Sequence, residues 1–157
     1  MTSVLPEVLV VGAAKSGTTS LWAALRSHPD IFCPDIKECR FFSQMPRNFK
    51  GGAAAKFQNE GPRELDQYLS LFYGKENFVK IDISNDYFYY YESTISNIKR
   101  IYDDCGKPYP KILILLRNPI DRVYSMYYHS VRLGSEVLDF DNAFSASHQR
   151  IADNYAW

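Results

Sequence analysis

The sequence predicts an α/β fold, a P-loop-like arrangement of three layers with a central, mostly parallel sheet between helices. Three observations predict it. Residues 8–11 (Val-Leu-Val-Val) and 111–116 (Lys-Ile-Leu-Ile-Leu-Leu) are short, continuous apolar runs, the pattern of central strands covered on both faces. Amphipathic helical stretches alternate with such runs. Gly12 and Gly17 follow the first run directly, at the spacing of a nucleotide-binding loop.

Taken in order, residues 19–27 place Leu21, Ala24 and Leu25 on one helical stripe, which stops before Pro29. Residues 62–72 put Leu65, Tyr68, Leu69 and Phe72 on one face, with Pro62 at a plausible first helical position. Residues 78–83, with Val79, Ile81 and Ile83 alternating against Lys80 and Asp82, are a third candidate strand. Residues 93–102 carry Ile95, Ile98 and Tyr102 on one side of a helix. Residues 43–61, with Gly51-Gly52 and Pro46, read as a long loop or irregular excursion.

The chain has 157 residues, about one domain's length, and is read as a single domain over 1–157. Eighteen Lys and Arg balance eighteen Asp and Glu, so no global field draws the protein to nucleic acid or an acidic membrane. Between Lys37 and Lys56, however, Lys37, Arg40, Arg47, Lys50 and Lys56 stand against Glu38 alone. That stretch is either a solvated surface loop or a basic rim for an anionic acceptor. Cys33, Cys39 and Cys105 have no metal-site spacing; they read as reduced thiols, with a Cys33–Cys39 bridge the alternative. No metal is expected. No apolar run reaches the ~18–20 residues of a membrane span, and no signal segment opens the chain. The expected compartment is therefore the cytoplasm, or the Golgi lumen if an anchor has been removed from a longer parent.

Two regions read as phosphate sites. After the first strand, the amides of Lys15 to Thr19 should surround an anion at a helix N-terminus, where the helix dipole favours negative charge. Hydroxyls of Ser16, Thr18 and Thr19 add donors, with Ser20 beside them, and Lys15 adds the only full charge. The loop departs from G-x-x-x-x-G-K-[ST]: Thr18 stands where the lysine of a triphosphate loop belongs, so the nucleotide has a short phosphate chain. The second region is 115–128, where Arg117 follows a strand and Asn118-Pro119 opens a helix. Ser125, two turns on from the helix start, faces back toward Arg117; a guanidinium fork with a hydroxyl suits a phosphate. Arg122 reads as a structural ion-pair residue.

The pattern G-x-x-K-S-G-T-T-x-L at residues 12–21 resembles the 5′-phosphosulfate loop of sulfotransferases that use 3′-phosphoadenosine-5′-phosphosulfate (PAPS). Residues 115–128 resemble that family's 3′-phosphate segment, with Arg117 and Ser125 on its two ligand positions. Residues 36–42 (Ile-Lys-Glu-Cys-Arg-Phe-Phe) resemble the K-E-x-x-F-F element of the carbohydrate-modifying members. By that resemblance Glu38 is the base toward the acceptor, with Lys15 as its catalytic partner at the donor and Lys37 and Arg40 near the acceptor. Arg40 replaces a histidine common in relatives, and Ser43 an acidic residue found in some. His28 and His129 are rival bases. Residues 83–88 resemble K-[ST]-x-x-Y-F, which lines the acceptor cleft and places Ser84 and Tyr87 there; Ile83 stands in place of its lysine.

The resemblance implies sulfuryl transfer from PAPS, with PAP as product, to a hydroxyl or amine of a glycan. Two other readings stay open: a non-catalytic relative that binds PAP or a sulfated glycan, and a divergent P-loop kinase. Relatives continue for about a hundred residues more, so the chain is expected to be the N-terminal part of the family domain.

Overall fold

A computed structural model describes residues 4–46, 48–153 and 155–156. In chain order the elements are β1 (Val8–Gly12), α1 (Thr18–Leu25), β2 (Ile31–Phe32), β3 (Gly51–Gly52), a short 3₁₀ helix (Ala54–Phe57), α2 (Leu65–Ser70), β4 (Val79–Ile83), α3 (Tyr91–Asp104), β5 (Lys111–Ile114), α4 (Pro119–Arg132), α5 (Phe140–Ser145), α6 (Ser147–Ala152) and β6 (Tyr155–Ala156). They gather into two compact units, Met1–Met45 with Gly61–Leu116 and Pro46–Glu60 with Arg117–Trp157.

The first unit holds a four-stranded, all-parallel sheet in the order β2-β4-β1-β5. Register is set by Val8 opposite Ile81 on one side and Lys111 on the other. Alternate residues of β1 face opposite layers. Val10, with Ile81 and Ile83, packs under Leu21, Trp22 and Leu25 of α1. Leu9 and Val11 pack instead with Tyr68 and Phe72, and with Ile98, Ile101 and Tyr102 of α3. The sheet therefore lies between helical layers, as the sequence predicts. Aromatic rings fill the second layer: Phe41 stacks on Tyr68 at 4.3 Å, and Phe42 meets Tyr68 edge-on at 5.2 Å.

On β4, Lys80 and Asp82 are buried along with Ile81 and Ile83. The polar residues tolerate this because each has partners: Lys80 Nζ donates to Glu7 at 2.7 Å, and Asp82 accepts three hydroxyl protons. The 111–116 run, whose pattern suits a central strand, is instead the edge strand β5: among the described residues it pairs with β1 alone, and Ile112, Leu113 and Ile114 are exposed. An apolar run reports a strand but cannot order strands within a sheet. α2 starts at Leu65, not Pro62, because Glu64 and Gln67 form a reciprocal capping box there. On α1 and α3, Trp22 and Ile101 take inward positions assigned to Ala24 and Ile95.

In the second unit β3 pairs in parallel with β6, so the 43–61 stretch contains a strand and a 3₁₀ helix. Asn118 caps α4, its Oδ1 accepting from Ile120 N–H at 2.9 Å, and Pro119 occupies the first turn. Tyr124 stacks on Phe140 at 4.2 Å. Glu136 is buried; its carboxylate takes both Arg150 guanidinium nitrogens and the amides of Val137 and Leu138, and the Arg150 hydrogen bond holds its carboxyl below the usual range. Cys33, Cys39 and Cys105 are free thiols. Among the described residues no helix is long and apolar enough to cross a membrane.

Candidate active site

β4 and β5 flank β1 on opposite sides, so the strand order changes direction there. The carboxyl end of such a strand is where open α/β sheets bind ligands. The chain leaves it at Gly12, with φ +156°; a Cβ there would lie 2.9 Å from Phe88 Cβ and 3.3 Å from the Asn85 carbonyl oxygen. Only glycine lets the loop lie this close to residues 85–88. Phe88 N–H also donates to Val11 O at 2.9 Å.

Lys15 (φ +65°) and Gly17 (φ +94°) turn the backbone into α1. Among the described residues no side chain caps that helix, and its first turn carries no acidic residue. The N-terminal amides and the dipole thus favour an anion. Ser16 Oγ is buried without a hydrogen-bond partner, the kind of atom a bound phosphate oxygen satisfies. Two details differ from expectation. The Ser16 amide is turned inward, donating to Ala13 O at 3.2 Å. Thr18 is buried, which leaves Thr19 and Ser20 as the exposed hydroxyls of the loop. The donor set suits a phosphate-bearing ligand.

Glu38 emerges from the turn after β2 at φ +66°, with Arg40 at φ +56°. Its amide donates to Ile83 O at 3.0 Å, so β4 holds the turn. Its carboxylate is 15% exposed and accepts from Lys37 Nζ, from Arg40 Nη2 at 3.0 Å and from Asn85 Nδ2 at 2.8 Å. Lys37 and Arg40 are thus drawn onto Glu38 rather than spread along a solvated rim. Of the other basic residues, Lys50 is exposed, Lys56 donates to Leu133 O, and Arg47 lies outside the described residues.

Asp86 and Ser43 sit beside this cluster. The Ser43 hydroxyl has one proton but two neighbouring acceptors, Arg40 O at 2.9 Å and Asp86 Oδ2. Protonation of Asp86 would remove the conflict, its carboxyl donating to Ser43 while Ser43 donates to Arg40 O. Burial pushes that carboxyl up to about 6, against the Ser43 hydrogen bond and Arg40. Its Oδ1 is buried without a partner.

Ser84 and Tyr87 do not open onto a cleft. They are 0% and 1% exposed, and both hydroxyls donate inward to Asp82. Contrary to the expectation from the motif, neither hydroxyl can reach an acceptor; they support the Glu38 turn from below. Sequence reasoning missed Asn85, which backs Gly12 through its carbonyl and holds Glu38 through its amide. Its place between Ser84 and Tyr87 in the 83–88 motif was the available signal.

Arg117 and Ser125 belong to the second unit. Arg117 is exposed, one residue before the cap of α4, and Ser125 lies on α4, two turns along it. His28 Nδ1 accepts from Asp30 N–H at 3.2 Å in the turn after α1, and His129 lies in the last turn of α4 beside Arg132. Among the described residues no group of three or more His, Cys, Asp or Glu is placed to hold a metal ion.

The model described as the sulfotransferase family matches residues 6–156. A crystal structure of a sulfotransferase from Alicyclobacillus acidocaldarius superposes with a TM-score of 0.83 at 37% identity, covering 97% of this chain and 60% of that one. The human bifunctional heparan sulfate N-deacetylase/N-sulfotransferase 3 is 29% identical over 133 residues, 80% of this chain. The membrane-associated sulfotransferase kil1 of Dictyostelium discoideum is 30% identical over 128 residues, 82% of this chain. This chain spans 13% and 24% of those two relatives.

Proposed function

The chain belongs to the sulfotransferase family, and we propose that it moves a sulfuryl group from PAPS to a hydroxyl or amine of a carbohydrate. The observation that carries this reading is the double use of Asn85. Its carbonyl lies against Gly12 and its side chain holds Glu38. A base and a phosphate loop built on one residue can serve the same reacting centre.

In the proposed reaction the acceptor oxygen or nitrogen attacks sulfur in line, and the bond from sulfur to the bridging oxygen of the 5′-phosphate breaks. Glu38 takes the acceptor's proton. Lys15 neutralises charge growing on the leaving PAP, and the N-terminal amides of α1, with Ser16, Gly17, Thr18, Thr19 and Ser20, hold its 5′-phosphate. Arg117 and Ser125 hold the 3′-phosphate. Lys37 and Arg40, beside the base, would meet a charged glycan first. The heparan sulfate enzymes among the similar proteins support a glycan as acceptor.

A second reading, a relative that binds PAP or a sulfated glycan without turnover, draws on the three donors that already occupy the Glu38 carboxylate. Glu38→Gln separates the two. With labelled PAPS and a panel of glycan acceptors, loss of a general base lowers kcat by about 10²–10⁴-fold while PAP affinity stays the same. Equal turnover with Gln at 38 would end the base assignment.

A further inference from the structure

Asp82 is fully buried on β4 and has no part in the reaction above, yet it is the hub of a hydrogen-bond network. Its Oδ2 accepts from Tyr87 Oη at 2.6 Å and Tyr68 Oη at 2.8 Å, and its Oδ1 accepts from Ser84 Oγ at 2.8 Å. Two of these hydroxyls also accept. Ser84 Oγ takes the Arg40 amide at 3.1 Å; Tyr87 Oη takes the amides of Phe41 at 3.1 Å and Phe42 at 3.4 Å.

The direction of each bond matters. A hydroxyl carries one proton and two lone pairs. Because Asp82 takes the protons of Ser84 and Tyr87, their lone pairs are left for the three amides of the Glu38 turn. Carbonyls of the same turn are held from elsewhere: Asn97 Nδ2 donates to Phe42 O at 2.9 Å, and Ser93 Oγ to Ser43 O at 2.7 Å. The amides therefore depend on Asp82 through its two hydroxyl intermediaries. They belong to a turn whose residues 38 and 40 both have positive φ, a backbone that non-glycine residues keep only when their surroundings enforce it.

We propose that Asp82 is the positioning residue for Glu38, fixing the left-handed turn that aims the base, a role that rests on Glu38 being that base. A carboxylate is needed rather than a carboxamide. Asn at 82 would bring two N–H donors into a pocket lined by three hydroxyls. The hydroxyl facing the new donor would have to accept from it, leaving its own proton without an acceptor and loosening its hold on the loop amide.

Two readouts on the full chain test this. In amide hydrogen exchange, Asp82→Asn should speed exchange in a peptide spanning 38–43 by at least about tenfold, with α1 peptides unchanged. In turnover, Asp82→Asn should lower kcat by about 10–100-fold with the KM for PAPS nearly constant, since a misplaced group costs rate rather than donor binding. The double variant Glu38→Gln/Asp82→Asn should be no slower than Glu38→Gln alone, because both changes remove one function. Tyr87→Phe, which deletes one intermediary and little volume, gives the same pattern in a milder form and serves if Asp82→Asn does not fold. Additive losses in the double variant, or unchanged exchange at 38–43, would overturn the proposal while leaving Glu38 as base. Full activity of Glu38→Gln would instead remove the base itself.

Discussion

The two candidate phosphate regions are built by opposite means. The loop after β1 is packed into its unit: Gly12 lies against Phe88 and Asn85, Thr18 is buried, and the neighbouring Glu38 turn rests on Asp82 and Asp86. The Arg117–Ser125 region stands on α4, which has no buried residue, after an edge strand whose apolar residues are exposed. In the first region, position is set by backbone and core. In the second it is set by side chains near the surface. Substitutions in the first should therefore change binding and stability together, and those in the second binding alone.

Buried carboxylates give the largest test of that contrast. The Asp86 carboxyl lies at about 6 in the fold against an ordinary 3.8. Below the lower value both states are protonated and burial carries no ionic penalty. As pH rises, the unfolded chain loses the proton first, so stability falls until about pH 6 and the full penalty remains above it. Asp86→Asn cannot ionise and keeps a donor for Ser43. It should unfold with a free energy up to about 3 kcal/mol higher than the parent at pH 7, with the difference vanishing near pH 4. Denaturant melts across that range measure it; a pH-independent difference would mean that Asp86 is ionised without cost.

Next in size is Gly12→Ala. A Cβ 2.9 Å from Phe88 Cβ must displace the loop or residues 85–88. A loss of about 1–3 kcal/mol in stability is expected, with PAP binding weakened at the same time. An unperturbed melt with intact PAP binding would show that the loop is not anchored there.

Arg117→Ala should behave in the opposite way. PAP affinity falls by about 10–100-fold, the worth of a charge-assisted pair, while the melting temperature stays within a degree or two, as exposed positions allow. Arg117→Lys restores only part of the affinity because the planar fork is lost. Ser125→Ala, the smallest effect, should cost about threefold to tenfold in PAP affinity by calorimetry, one neutral hydrogen bond. A clear fall in stability for either would erase the distinction between the regions.

Much of this was legible in the sequence. The apolar run of β1, the glycine spacing after it and the Asn118-Pro119 helix start are local signals, and each appears in the structure where expected. The order of strands was not legible, because a continuous apolar run describes a strand's own faces and not its neighbours. The burial of Lys80 and Asp82 was not legible either, because a polar side chain on a strand ordinarily seeks water. Their partners, Glu7, Tyr68 and Tyr87, are supplied by the fold and have no signature in the strand itself. The same blindness hid the support role of Ser84 and Tyr87: a motif gives their position, whereas the side they face is settled by Asp82.

The loop after β1 is proposed to bind the 5′-phosphate of an adenosine 3′,5′-bisphosphate rather than a triphosphate. Isothermal titration of the chain with PAP, alongside ATP with magnesium and repeated on Lys15→Ala, tests it directly. PAP should bind, ATP with magnesium should not compete, and Lys15→Ala should lose at least about tenfold in PAP affinity. Tighter binding of ATP with magnesium than of PAP, or PAP binding indifferent to Lys15, would contradict it.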